Sequence, residues 1–306
     1  MNNQELFEYN YEAQAIFYRD QYLIEEEVRE WRDADQLSAI LSVVKDRKKL
    51  LLVQRTGWGK SLVYFIATKI LRDEQYYQNA NLDFQPGPAL MISPLLALIR
   101  NQVLQGQSLL QIESIDSTTT EGEKERIIEG YQNNKIDLLI ITPEQLTKPF
   151  FQENIAPEAN KIPLLIIDEA HCISQWGHDF RPDYMRIKRF LEGLTSNAPV
   201  IATTATANNR VVQDIEEQLG SNKETIRGRL ARDSLKLDAR KIPSHITRYA
   251  YLVDQIKKME SSGIVYVSTI NEAKRVSEWL KSNDIDSFLY TGSVSHEKRK
   301  EIENKF

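Results

Sequence analysis

The segment KLLLVQRTGWGKSLVYFIATKIL, residues 49–71, decides the fold. Residues 49–54 are a short, uninterrupted apolar run of strand length, and a longer helix-forming run starts at Ser61. Between the two lies Thr56-Gly57-Trp58-Gly59-Lys60-Ser61. Glycines let backbone N–H groups turn inward around an anion, and the N-terminus of the following helix adds its dipole. A strand, a glycine turn, Lys-Ser and a helix in that order predict a phosphate-binding loop. In it Lys60 neutralises the β- and γ-phosphates, Ser61 ligates Mg²⁺, and Thr56, Gly57, Trp58 and Gly59 wrap the nucleotide. The bland alternative is a glycine turn carrying a surface lysine.

Outward from this segment the same alternation continues. Apolar runs of strand length recur at ALMIS (89–93), DLLIIT (137–142), LLIID (164–168) and VIATT (200–204), with helix-like stretches between them. Continuous apolar strands separated by helices predict an α/β domain, a parallel sheet with helices on both faces. Such sheets bind ligands outside the carboxyl ends of their strands, so the residues directly after these runs are the informative ones.

LLIID leads into Asp168-Glu169-Ala170-His171. An acidic pair at the tip of a buried strand is costly unless cations or hydrogen bonds compensate. A Mg²⁺–nucleotide held at 56–61 supplies that compensation, with Asp168 holding the ion, usually through water, and Glu169 orienting and deprotonating the attacking water. The alternative is that the pair caps the next helix while His171 packs as an ordinary histidine. No second His or Cys stands at ligand spacing from His171, which argues against a metal site there.

The stretch DEAHCISQWGHDFRPDY, residues 168–184, resembles motif II and the aromatic-rich loop of RecQ-like DNA helicases, members of superfamily 2. Trp176, His178, Phe180 and Arg181 sit in a polar, glycine-containing segment. Such residues suit stacking on unpaired bases and pairing with phosphates better than they suit a core. Other segments follow in the family's order. Residues 91–98 resemble motif Ia and residues 141–144 motif Ib, which implies strand contacts from Ser93, Pro94 and Thr142. Residues 202–207 resemble motif III, which implies that Thr204 and Thr206, with Gln175, couple nucleotide state to movement. The resemblance adds His171 to a catalytic set of Lys60, Asp168 and Glu169. It matches residues 31–36 to the adenine-recognising segment, so that Arg32 and Gln36 contact the base, Gln36 through adenine N6 and N7. Thr-Gly-x-Gly-Lys-Ser, with Gln54 where the general phosphate-loop pattern has glycine, is the version that helicases use.

The resemblance implies a RecA-like lobe over 31–235, preceded by a helical extension at 1–30, and a partial second RecA-like lobe over 236–306. In that second unit SSGIVYVST (261–269) and SFLYTG (287–292) are expected to be strands. Motifs V and VI of the family are expected from a missing C-terminal segment or a partner chain. The implied activity is an ATP-dependent DNA helicase of 3′-to-5′ polarity using ATP and Mg²⁺ on single-stranded and junction DNA. A nucleotide-gated DNA-binding module and an RNA-directed ATPase are the other readings.

Composition sets the outer bounds. The chain has 306 residues, 41% hydrophobic and 27% charged, which is ordinary globular composition. A net charge of −5 disfavours coating of nucleic acid by bulk charge yet leaves room for a local basic cleft, since screening acts over ~8–10 Å. One cysteine, Cys172, excludes an internal disulfide, and no zinc is expected. No signal peptide or membrane-length apolar run is present, and the chain is read as cytoplasmic.

Overall fold

In the computed structural model, residues 10–23, 29–79, 86–174, 185–194, 198–231 and 235–306 are described. The chain divides into two compact units, Met1–Arg232 and Asp233–Phe306.

The first unit starts with α1 (Tyr11–Tyr22) and α2 (Ala34–Val44). Strands and helices then alternate: β1 (Lys49–Val53), α3 (Lys60–Leu71), α4 (Glu74–Asn79), β2 (Ala89–Ile92), α5 (Leu96–Gly106), β3 (Ile112–Ile115), α6 (Glu121–Gln132) and β4 (Leu138–Ile141). They are followed by α7 (Pro149–Asn154), β5 (Leu165–Ile167), α8 (Met185–Gly193), β6 (Val200–Thr204), α9 (Asn209–Leu219) and β7 (Lys223–Arg227). The strands form one seven-stranded sheet in the order β3-β4-β2-β5-β6-β1-β7. Every pairing is parallel.

Side-chain alternation along each strand feeds two cores, one per face. Leu51, Val53, Leu90, Ile92, Leu139, Ile141, Leu165 and Ile167 point to one. Leu50, Leu52, Met91, Leu138, Ile140, Ile166 and Ile201 point to the other. Burial on both faces explains why the five central strands are predominantly apolar. The helices start where the sequence caps them. Asp33 accepts from Asp35 N at the head of α2, and Thr120 and Glu123 form a reciprocal capping box at the head of α6. Helix α1 is tied into the second core through buried Ala15 and Tyr18, whose hydroxyl donates to Asp73 Oδ2 at 2.8 Å.

The second unit contains α10 (His245–Ile256), α11 (Ile270–Lys281) and α12 (His296–Lys305). Helix α11 buries Val276 and Leu280, and Trp279 Nε1 donates to Tyr249 O at 3.2 Å. The strands expected over 261–269 and 287–292 do not form as ladders among the described residues. A strand needs a neighbour that takes its backbone N–H and C=O groups along a ladder, and among the described residues none pairs with these stretches in that way; Tyr266 is 89% exposed. Among the described residues no helix is long and apolar enough to cross a membrane.

Candidate nucleotide site

Because all seven strands run the same way, their carboxyl ends share one edge of the sheet. β1 and β5 are separated only by β6, placing their tips two strand spacings apart, about 9–10 Å. The glycine turn follows one tip and the acidic pair follows the other.

Gly57 and Gly59 take φ of +78° and +100°, conformations that side-chain-bearing residues rarely adopt. A Cβ at Gly59 would meet Gln36 Nε2 at 2.5 Å. Helix α3 starts at Lys60, whose Nζ donates to the loop carbonyls of Gln54 at 2.9 Å and Arg55 at 3.3 Å. Thr56 and Gly57 are exposed and Ser61 is half-buried, so this surface is open to a ligand.

The preceding segment fastens the loop from behind. Trp58 is 2% exposed, and its Nε1 donates to Asp33 Oδ2 at 2.6 Å. Gln36 Nε2 donates to Trp58 O at 3.0 Å, while its Oε1 accepts from Arg32 N at 2.7 Å. Gln36 is itself 2% exposed. Its carboxamide, matched by resemblance to adenine, is here engaged at both ends as a brace for the loop, and the Arg32 side chain is exposed. Gln54 is also explained. It reaches Asp35 Oδ2 at 3.3 Å and fills space that only a glycine at 228 leaves, since a Cβ there would lie 2.1 Å from Gln54 Oε1. Asp33 and Asp35 are therefore part of the loop's support. The sequence signal for Asp33 is its capping position before α2, and for Trp58 a bulky ring where a turn requires only a small residue.

At the other tip Asp168 is 6% exposed. Thr203 Oγ1 donates to its Oδ1 at 2.7 Å, and Ser93 Oγ approaches its Oδ2 at 3.5 Å. Burial pushes the carboxyl above its ordinary range, with the Thr203 hydrogen bond and the positive charge of Lys60 opposing. Burial disfavours the charged carboxyl of Asp168, and a divalent cation would offset that cost. Together with Ser61 and the phosphates of a nucleotide it fits Mg²⁺, an ion that takes few protein ligands. Among the described residues no group of three or more His, Cys, Asp or Glu side chains forms a metal cage.

Glu169 adopts left-handed backbone, φ 49° and ψ 46°, a conformation costing a non-glycine residue roughly 1–2 kcal/mol. Its Oε2 lies 3.1 Å from His171 Nδ1. The same nitrogen lies 3.1 Å from Thr204 Oγ1, which in turn accepts from Thr206 N at 3.1 Å. Hydrogen bonds to Cys172 and to Glu169 hold His171 up at about 10, so the imidazole is protonated at neutral pH. The structure thus joins Glu169, His171, Thr204 and Thr206 in one hydrogen-bonded line from β5 to β6.

The residues matched to strand contact divide differently. Ser93 and Thr142 are 0% and 2% exposed, Ser93 facing Asp168 and Thr142 holding its Oγ1 inside with no hydrogen-bond partner among the described residues. Pro94 is buried as well. Their side chains belong to the sheet's interior edge, because each directly follows a strand buried on both faces. Gln175, Trp176, His178, Phe180 and Arg181 lie outside the described residues.

The DEAD/DEAH box helicase family model matches residues 33–215, which include both strand tips. The ATP-dependent DNA helicase RecQ of Bacillus subtilis is 32% identical over 274 residues, covering 89% of this chain and 43% of that protein. A putative ATP-dependent DNA helicase Q1 of Caenorhabditis elegans is 31% identical over 265 residues, covering 82% of this chain and 39% of that protein. The chain therefore spans about two fifths of the length of these relatives. Among solved structures, the DEAD-box helicase Mss116 bound to ssRNA and UDP-BeF aligns with a TM-score of 0.70 at 15% identity, covering 94% of this chain and 61% of that one. That likeness places the α/β sheet among RecA-like helicase folds. A family match across more than half of the chain and the sequence likeness to RecQ helicases lead to one conclusion: this chain belongs to the DEAD/DEAH box helicases and is RecQ-like.

Proposed function

We propose that this chain binds Mg²⁺–ATP at the shared strand edge and, as part of a RecQ-like motor, couples its hydrolysis to 3′-to-5′ tracking along single-stranded DNA and strand separation. The observation that carries this reading is geometric. The positive-φ glycine turn at the head of α3 and the buried carboxyl of Asp168 follow the tips of β1 and β5, two parallel strands separated only by β6.

In this mechanism Lys60 releases the Gln54 and Arg55 carbonyls and turns to the β- and γ-phosphates. The backbone N–H groups of the glycine turn and of the head of α3 bind the remaining phosphate oxygens. Ser61 and Asp168 would hold the ion, which when bound would neutralise phosphate charge and polarise the γ-phosphoryl group. Glu169 takes the proton of the attacking water. His171, protonated beside it, fixes the orientation of Glu169 and relays its position to Thr204, so nucleotide state and the β6 tip change together. Contact with the unpaired strand is assigned on sequence to residues 175–184, with Trp176 and Phe180 stacking on bases and Arg181 pairing with phosphate.

Steady-state ATP hydrolysis measured with matched single-stranded DNA and RNA, alongside displacement of a duplex carrying a 3′ tail, tests this reading. DNA-stimulated turnover is expected to vanish in Lys60→Ala and in Glu169→Gln. Lys60→Ala also loses nucleotide binding, and Glu169→Gln keeps it. Trp176→Ala is expected to bind nucleotide normally and lose stimulation. Stimulation by RNA alone would replace the DNA assignment, and nucleotide binding unchanged in Lys60→Ala would end the reading.

A further inference from the structure

Tyr64 is 1% exposed, one turn into α3, packed edge-on to Phe65 at a ring separation of 4.9 Å. Its hydroxyl touches two oxygens from different parts of the fold. One is Ser61 Oγ at 3.0 Å, and the other is Gln102 Oε1 in α5, through a short hydrogen bond. A phenol has one proton for two neighbours. The amide oxygen of Gln102 only accepts, so the phenol proton goes there, and the Ser61 hydroxyl must donate its own proton to Tyr64.

The consequence falls on Ser61. With its proton given to Tyr64, the Ser61 oxygen keeps its lone pairs as acceptors, the state a cation ligand requires. A bound cation would polarise the Ser61 O–H and strengthen the same donation, so the chain Ser61, Tyr64, Gln102 has one direction. Gln102 lies on α5, the helix that follows Ser93–Leu95 at the tip of β2.

From this geometry we propose that Tyr64 is a positioning residue that presets the Ser61 hydroxyl for Mg²⁺ and transmits occupancy of the metal site to Gln102 on α5. The proposal rests on the phosphate-loop reading above. Its test uses the full chain and a fluorescent ADP analogue, titrated with Mg²⁺ and, separately, in chelator. Wild type should bind more tightly as Mg²⁺ rises. Tyr64→Phe keeps the ring in the core and should shift the Mg²⁺ midpoint upward by ~3–10-fold, the worth of one hydrogen bond, while affinity in chelator stays the same. Gln102→Leu should shift it in the same direction, and the two changes together should shift it by less than the product of the separate effects. In a Ser61→Ala background Tyr64→Phe should have no further effect. The Gln102 side-chain amide resonance should move on Mg²⁺ addition in wild type and stay still in Tyr64→Phe. An unchanged Mg²⁺ midpoint in both Tyr64→Phe and Gln102→Leu, with wild-type Mg²⁺ dependence intact, overturns the proposal. Absence of nucleotide binding by wild type overturns the phosphate-loop reading first, and the proposal with it. If Tyr64→Phe fails to fold, Gln102→Leu at its half-buried position decides alone.

Discussion

His171 Nδ1 stands 3.1 Å from the hydroxyl of Thr204, which links the segment after β5 to the end of β6. The same imidazole lies 3.1 Å from Glu169 and is held at about 10 against an ordinary 6.5. A histidine raised on folding adds stability in its protonated form. That contribution is complete below about pH 6.5 and is lost as pH rises through about 10. Thermal midpoints of wild type and His171→Asn should therefore differ most below pH 6.5 and converge towards pH 10. A constant difference across that range would mean that the imidazole acts through packing alone.

Glu169 holds positive φ without being glycine. Glu169→Gly and Glu169→Ala both remove the carboxylate, so they differ mainly in backbone freedom. The glycine variant should be more stable than the alanine variant by ~1 kcal/mol in denaturant unfolding. Equal stabilities would mean that the segment relaxes to another conformation when the side chain is removed.

Asp168 is buried and raised, which is a cost the folded protein carries above that pKa. Asp168→Asn removes the charge and keeps an acceptor for Thr203. Its thermal midpoint without ligand should rise, while the gain in nucleotide affinity on adding Mg²⁺ falls by at least ~10-fold, in line with loss of a metal ligand. A fall in the midpoint would show that the Lys60 attraction outweighs the burial cost.

Asp33 serves two partners, the start of α2 and the Trp58 ring nitrogen. Asp33→Ala strips the cap and leaves a nearly buried N–H without its acceptor, which together should cost ~2 kcal/mol. Asp33→Asn keeps an oxygen for one of these bonds and should lose less than half as much. Urea unfolding followed by tryptophan fluorescence gives both values. Nucleotide affinity should weaken in parallel, because the loop is braced through Trp58.

The five central strands, and the candidate residues that follow their tips, were legible in the chain itself. A strand buried on both faces must be apolar throughout, and residues directly after such strands in a parallel sheet must sit at its ligand-binding edge. The two strands that escaped reading, β3 and β7, are the sheet's edges, where IESI and KETIR meet solvent and carry charge. Lys60, Ser61, Asp168 and Glu169 were nameable from local order alone. What each side chain does in the folded chain was not. Gln36 braces a loop, Ser93 faces Asp168, and Tyr64 joins Ser61 to a helix nearly forty positions away, all through contacts between segments distant in sequence. Periodicity records which face of an element is buried, because burial acts on each residue separately. A hydrogen bond between distant segments depends on where two elements meet, and only the assembled sheet decides that.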